Sequence, residues 1–446
     1  MRLLILTFSY TPRTNPRATR WTTLAEHFAL EGHSVSVVTS WQQGMLEQET
    51  RNGVQIFRVG MRSLERLRRG LSASRAASAE KASPGPTAQT EISGQSSMVL
   101  RMLLTINRTI WRHLWWPDST CIWLRSALKT ARTLLAEKPA DVVISVSPTF
   151  SAVVVGHFLA RGRLYCRRWI IDLGDPFSFM DQAVPNNVRI YDRLNRWFEK
   201  RAFLRANQVS VTTEGTQQMY RSLYPTCAEK ITVIPPLLSP SPKHADSRPF
   251  FQNNGAVHLV FIGTLYRQLR RPDFLLQLFS AMLDVRTESK CQLHLIGDTH
   301  ECQEILQIYQ ERLGQRLKVH APVDRSLAML AMNEASILVN LGNETAYQLP
   351  SKLIEYAATG KRILNISSLA SDSSIAFLNS YPCALCIQDQ GTAPSANQVL
   401  EFTSFCGDSA HHEVDAPALE EFLRPFSLQV VAACYYRHFT SPLQQS

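Results

Sequence analysis

Lys352 and Glu355 are the residues of this 446-residue chain best spaced to recognise a small charged ligand. They lie in LPSKLIEYAATGKRIL (Leu349–Leu364), where Pro350 suits the first turn of a helix and Gly360 its end. Three residues apart, they share one helical face near the N-terminus. First-turn N–H groups and the positive end of the helix dipole favour phosphate there, and Lys352 adds a mobile positive charge. Glu355, one turn on, can accept two hydrogen bonds from vicinal hydroxyls such as those of a ribose. A diphosphate with a ribose one turn away is a nucleoside diphosphate. Such Lys–Glu pairs are also common on solvated helix surfaces, so other elements must turn this one into a site.

A second candidate is the Asp172-Leu173-Gly174-Asp175 loop, which follows the apolar run Trp169–Ile171. In an open parallel sheet, loops at the C-terminal ends of strands face the ligand crevice. A carboxylate at Asp175 can orient or deprotonate an acceptor hydroxyl there, or it can cap a turn. Asp172 carries the same two readings. Arg17 and Arg20 follow the first strand and either meet a diphosphate or an anionic acceptor, or are ordinary helix-surface arginines.

The elements that would position these residues alternate. Leu3–Phe8 is a continuous apolar run suited to a strand buried on both faces. Trp21–Leu30 has helical spacing and stops at Gly32, and Val35–Thr39 and Val54–Val59 read as further strands. Strand-like runs resume at Asp141–Val146, Val209–Thr212 and Ile231–Ile234, with a helical segment at Ile190–Ala206. Proline-dense Pro235–Pro240 reads as a linker. A second α/β series runs from Val257–Ile262 through Phe274–Leu283, Gln292–Ile296, Ile337–Val339, Lys352–Ala358 and Arg362–Ile366, with a closing helix at Glu420–Phe439. This alternation predicts two doubly wound domains, 1–240 and 241–446. Residues 67–97, rich in Ser, Ala, Gly and Arg, read as a mobile insertion. Residues 100–116 read as a basic amphipathic helix: Arg101, Arg108 and Arg112 line one face, and Trp111 and Trp115 the other.

The formal net charge of +10 is uneven. Residues 1–240 hold 31 Lys and Arg against 17 Asp and Glu, and the remainder 16 against 20, so the halves carry +14 and −4. That asymmetry suits an anionic substrate or surface on the N-terminal side. Nine cysteines, an odd number, point to reduced thiols in a cytoplasmic protein. The lone Cys383–Cys386 spacing lacks the partner pair of a zinc site, so no metal ligand set is expected. Neither GxGxxG after the first strand nor GxxxxGK[ST] occurs, which disfavours a dinucleotide dehydrogenase or a P-loop kinase. No clean apolar run reaches about 18 residues, so no spanning helix is expected.

In order, these segments resemble the retaining glycosyltransferases of family 4, whose fold is GT-B: two Rossmann-like domains facing across a cleft, with a C-terminal helix closing the structure. The resemblance runs through MRLLILTFSYTP, WTTLAEHFALEGHSVSVVTS, ADVVISVSP, WIIDLGDPFSF, NQVSVTTEGTQQMYRSLYP, LVFIGTLYRQLRRPDFLLQLFSAM, QLHLIGD and the Leu349–Leu364 helix. It implies transfer of a sugar from a nucleotide-diphosphate sugar to a glycan or polyprenyl-linked acceptor, with retention. No cofactor or obligatory metal, and no nucleic-acid partner, is implied. Glu355 would hold the donor ribose. Pro350, Ser351 and Lys352 would hold the diphosphate beside Gly263. A basic residue after the GTL turn would neutralise the leaving group: Arg270, with Arg267 and Arg271 as rivals. Asp175 would serve the acceptor, together with Arg17, Arg20 and Asp172. The resemblance implies a role in bacterial surface polysaccharide or glycolipid synthesis. Independently of it, the Arg/Trp amphipathicity of 100–116 and the +14 of its half suit docking on an anionic membrane that holds a lipid-linked acceptor, the other reading being a helix packed into the core of the first domain. Tyr347 stands where the family often has a second glutamate, and Thr264 where it often has an arginine, so the sugar-facing contacts differ. A non-catalytic sugar-nucleotide-binding protein, or an epimerase of the same fold, are the alternatives.

Overall fold

The computed structural model describes residues 1–13, 15–60, 114–180, 185–238, 248–252, 254–267, 270–342, 345–407 and 413–441. The chain forms two units, one of Met1–Thr212, Tyr220–Ile234 and Ala432–Ser446, the other of Thr213–Met219 and Pro235–Val431.

The first unit is built on eight strands: β1 (Arg2–Thr7), β2 (Ser34–Ser40), β3 (Gln48–Arg51), β4 (Val54–Val59), β5 (Ala140–Val146), β6 (Cys166–Asp172), β7 (Gln208–Val211) and β8 (Ile231–Val233). Their order is β3-β4-β2-β1-β5-β6-β7-β8, parallel except for the β3–β4 pair. The apolar centres of the interior strands, Leu3–Leu6, Val142–Ile144 and Trp169–Ile171, are buried on both faces. Helices α1 (Pro16–Leu30), α2 (Cys121–Ala136), α3 (Phe150–Leu159) and α4 (Val188–Arg205) follow in chain order, then α5 (Glu214–Leu223), whose residues up to Met219 belong to the second unit. α1 starts at Asn15, whose side chain accepts from the Ala18 amide, with Pro16 in the first turn. It ends before Gly32, which takes a positive φ of 84°.

The second unit holds β9 (Val257–Ile262), β10 (Cys291–Ile296), β11 (Leu317–His320), β12 (Ile337–Leu341), β13 (Arg362–Ser367) and β14 (Ala384–Gln388). They form an all-parallel sheet in the order β11-β10-β9-β12-β13-β14. Its helices are α6 (Asp273–Val285), α7 (Gln303–Leu313), α8 (Arg325–Glu334), α9 (Ser351–Ala358), α10 (Ser373–Leu378), α11 (Ala396–Phe405) and α12 (Ala416–Leu423); α13 (Leu428–Thr440) follows, and from Ala432 on it belongs to the first unit. In each unit the strand order reverses beside the first strand, between β1 and β5 and between β9 and β12. The loops leaving two such strands diverge, and that is where open α/β sheets bind ligands.

Two expectations about the chain's end change. Glu420–Phe439 is not one helix: a 3-10 turn at Arg424–Phe426 separates α12 from α13. Pro425 in that turn has no N–H to continue the helical ladder. The described residues from Ala432 on, expected with the C-terminal domain, group with the first unit instead. There Tyr435 and Phe439 are buried, and rings of α13 meet rings of α1: Trp21–Tyr435 at 5.1 Å, Phe28–Phe439 at 5.3 Å. The expected insertion at 67–97 and most of the basic helix, including Arg101, Arg108, Trp111 and Arg112, lie outside the described residues. Among the described residues no helix is long and apolar enough to cross a membrane. All nine cysteines are free thiols.

Candidate functional site

In the second unit, the residues singled out around Lys352 come together at the switch between β9 and β12. β9 ends at Ile262. The Ile262 carbonyl accepts from Lys352 Nζ at 3.1 Å and from the Tyr356 hydroxyl at 3.3 Å. The Ile262 amide donates to the same hydroxyl at 3.0 Å. Helix α9 is thereby stapled to the end of β9 by side chains of successive turns. Lys352 is an exposed residue, but its ammonium lies against the chain. Burial holds its pKa below that of an ordinary lysine, Glu355 opposes this, and Arg270 adds to it. Pro350 precedes α9, and no side-chain hydrogen bond caps the helix there. The backbone of Ser351 begins the first turn.

The loop after β9 places the three candidate arginines differently. Tyr266 and Arg270 pair as an isolated antiparallel bridge, which folds Arg270 back toward Gly263. A Cβ built on Gly263 would stand 3.9 Å from Arg270 Nη1. Burial lowers the Arg270 pKa, as expected of a guanidinium drawn off the surface. Arg267 instead reaches Glu304 at 3.0 Å with 73% of its side chain exposed. Arg271 forms a two-pronged pair with Asp273. Of the three candidates, Arg270 is the one whose charge bears on Lys352. Gly297 closes the floor: its φ is +139°, and a Cβ there would fall 2.0 Å from the Gly263 carbonyl oxygen.

Glu355 has a partner that sequence reasoning did not single out. Arg325, in the first turn of α8, donates to Glu355 Oε1 at 2.9 Å. The local signal was Asp324, which caps α8 by accepting from the Leu327 amide and so places Arg325 in the first turn; nothing local links it to Glu355, thirty residues on. Tyr347 is buried, and its carbonyl accepts from the hydroxyls of Thr213 and Thr216. Ser373 likewise donates to the Gln348 carbonyl at 2.6 Å. Three hydroxyls thus fix the backbone leading into α9.

In the first unit, β6 runs directly into the Asp175 loop, and the two aspartates separate. Asp172 is buried and fully engaged. Its Oδ2 accepts from Arg17 Nη1 at 2.9 Å and from the Trp21 indole at 2.8 Å. Its Oδ1 accepts from the Tyr435 hydroxyl at 2.7 Å and from Ser210 at 2.8 Å. Burial alone would raise its pKa, but Arg17 and Arg20 hold it below the usual carboxylate range. Arg20 is itself buried and donates to the Tyr435 hydroxyl at 3.0 Å. Asp172 and Arg20 are thus both buried and engaged within the unit. Arg17 packs its guanidinium over Gly174, where a Cβ would lie 2.2 Å from its Nε, and its Nη2 has no hydrogen-bond partner. It keeps one donor beside the Asp175 loop.

Asp175 is partly exposed in that loop. The loop's far side is tied down by a buried cluster the sequence did not reveal. The Phe177 amide donates to the Tyr220 hydroxyl, and both Tyr220 and Tyr224 donate to Glu199, at 2.7 and 2.8 Å. Burial raises the Glu199 pKa against those hydrogen bonds. The loop is anchored by Asp172 on one side and the Glu199–tyrosine cluster on the other. Trp115 is half-buried; the other expected membrane residues fall outside the described segments. Among the described residues, no group of three or more His, Cys, Asp or Glu, with Cys383 and Cys386 or elsewhere, could hold a metal.

Residues 18–236 match the family model of the glycosyl transferase 4-like domain. No curated protein matches the chain. Among solved structures, the fold is similar to the catalytic domain of starch synthase IV from Arabidopsis thaliana bound to ADP and acarbose, at a TM-score of 0.59 and 10% identity over 100% of this chain and 99% of that one. It is similar to trehalose-6-phosphate from E. coli bound with UDP-2-fluoro glucose, at a TM-score of 0.61 and 11% identity over 99% of each chain. It is also similar to WaaG, a glycosyltransferase involved in lipopolysaccharide biosynthesis, at a TM-score of 0.52 and 14% identity over 99% of this chain and 100% of that one. At such identities the likeness establishes the fold, and the fold is GT-B, with two Rossmann-like domains. Within that fold, the similarity to the glycosyl transferase 4-like domain spans residues 18–236.

Proposed function

We propose that this protein is a retaining glycosyltransferase that moves a hexosyl or N-acetylhexosaminyl group from a nucleotide-diphosphate sugar to a glycan or polyprenyl-linked acceptor, in bacterial surface polysaccharide or glycolipid synthesis. The observation that carries the reading is the grouping of Lys352, Arg270 and Glu355 around the ends of β9 and α9. Two cations converge where α9 presents its uncapped first turn, and a carboxylate held by Arg325 stands one turn further on. That arrangement suits a diphosphate followed by a ribose diol.

In this reaction the acceptor hydroxyl oxygen bonds to the anomeric carbon as the bond from that carbon to the diphosphate oxygen breaks. The hydroxyl proton passes to the departing diphosphate, and Asp175 orients the hydroxyl. Lys352 and Arg270 stabilise the charge that collects on the diphosphate. They take the place of a cation, so the reading requires no metal ion or cofactor. Retention follows front-side attack without a protein nucleophile. Arg17, with its unpartnered Nη2, is the remaining candidate for contact with the acceptor. The same reading places the protein in the cytoplasm, working on acceptors held at the inner membrane face.

The test is a panel of nucleotide sugars with membrane extract, following release of nucleoside diphosphate with and without chelator. Glu355→Ala should weaken donor binding, and Asp175→Ala should lower turnover with donor affinity kept. Unchanged donor affinity in Glu355→Ala would refute the site. One observation favours a second reading, a sugar-nucleotide-binding protein without transferase activity: Tyr347, buried, fills the position of the second glutamate. Donor binding without nucleotide release across the whole panel would establish it.

A further inference from the structure

Helix α4 has a face that the donor and acceptor chemistry does not use. Its buried side packs Phe198, Ala202 and Phe203 into the first unit. On the opposite side Ile190, Leu194, Trp197 and Leu204 are 58%, 38%, 55% and 47% exposed. At 3.6 residues per turn these four form one stripe along the helix. Arg189, Arg193, Arg196 and Lys200, all exposed, form a band on one flank of that stripe. Arg201 lies within the stripe, with its guanidinium 5.3 Å from the centre of the Trp197 ring. The helix carries six Lys and Arg and two Asp and Glu. One of the acids, Glu199, is buried, and the other, Asp192, is paired with Arg196 at 3.0 Å. The surface of α4 is therefore almost purely cationic around an apolar ridge.

A scattered exposed leucine needs no explanation, but an aligned Ile, Leu, Trp and Leu beside a cationic band is a different surface. Phosphate backbones of nucleic acid would use the cations and leave the aliphatic ridge without a partner. A bilayer with anionic headgroups uses both, with the ridge in the acyl boundary and the arginines at the phosphates. The patch also continues past the helix. Tyr191 donates to the Leu114 carbonyl at 2.9 Å, and Leu114 is 52% exposed. We propose that the outer face of α4 docks this protein on an anionic lipid bilayer. The proposal does not depend on the donor chemistry, which lies in the other unit.

The experiment is flotation of the full chain with vesicles of phosphatidylglycerol and phosphatidylcholine, and with phosphatidylcholine alone. Wild type should float with the anionic vesicles and detach at high salt. The variant Ile190→Ser/Leu194→Ser/Trp197→Ser should lose at least about tenfold in partition, since each apolar side chain withdrawn from water contributes that order of preference. Arg193→Gln and Lys200→Gln should each lose about fivefold, the worth of one cation near an anionic surface. Both sets leave the buried face of α4 intact, so near-ultraviolet circular dichroism and nucleoside diphosphate binding should match wild type. Equal flotation of the triple variant and wild type would overturn the proposal, as would equal binding to neutral and anionic vesicles. So would a wild-type dimer that the triple variant loses, because the ridge would then be a protein interface. Retention of the triple variant on heparin with vesicle binding absent in wild type would assign the face to a polyanion instead.

Discussion

Replacing Asp172 with Asn tests whether the end of β6 is a structural junction. The side chain keeps its volume but loses its charge, while the partly buried Arg17 and the buried Arg20 keep theirs. An asparagine amide cannot accept from Arg17, Trp21, Tyr435 and Ser210 at once; its Nδ2 must face donors on one side. Removing one partner from a buried ion pair costs about 3–5 kcal/mol, and Asp172 is 1% exposed with the Arg17 side chain at 13%, so little solvent screens the loss. In a unit of this size that corresponds to a fall in melting temperature of roughly 10 °C. The assay is built into the sequence: all eight tryptophans fall between Trp21 and Trp197, so intrinsic fluorescence in a urea titration reports on the first unit alone. Tyr435→Phe should cost about 1.5–3 kcal/mol, the range for a hydrogen bond to a charged group. The double variant should cost less than the sum, because both act on one network. The pH dependence has a fixed sign. The folded pKa of Asp172 is depressed, so its contribution is present above the unfolded value of about 3.9 and lost as pH falls through the lower folded value. The gap between wild type and Asp172→Asn should therefore close in acid. A variant within about 1 kcal/mol of wild type at neutral pH would refute the network.

Three further outcomes are expected. Arg325→Ala should raise the dissociation constant for a nucleoside diphosphate by about fivefold, while stability changes by less than about 1 kcal/mol because the pair is partly exposed; Arg325→Lys should restore part of the affinity, and the loss should shrink for a 2′-deoxynucleotide, as measured by calorimetry. His258, His294 and His320 lie on adjacent strands, linked through His294 at 3.0 and 3.1 Å, and burial with neighbouring cationic groups lowers the His294 pKa to about 3. A histidine depressed in the fold favours its neutral form, so the second unit should lose about 2 kcal/mol between pH 7.5 and 5 from this group alone, seen by tyrosine fluorescence or hydrogen exchange, with the loss smaller in His294→Gln. Gly156→Ala should destabilise the first unit by about 1–3 kcal/mol despite the better helix propensity of alanine, because the new Cβ would lie 2.1 Å from Ser145 Oγ and 2.3 Å from Trp169 Nε1; a stabilised variant would show that α3 shifts freely.

What the sequence alone determined was everything written in local pattern. The apolar runs at Leu3–Phe8, Val257–Ile262 and Ile337–Val339 are central strands because a strand buried on both faces must be apolar at every position. Lys352 and Glu355 share a face of α9 because helical spacing requires it. The tertiary structure alone decided what lies far apart in the chain. Asp172 and Asp175 look alike in sequence, but Asp172 meets a hydroxyl 263 residues away and becomes structural, while Asp175 stays in the loop. Arg267, Arg270 and Arg271 differ only in where a short bridge turns them. Arg325 finds Glu355 across two parallel-sheet connections. Pro425 broke the closing helix where the apolar pattern ran on, and the helix beyond it joined the first unit. Periodicity reports which face of an element is buried; only the folded chain says against what.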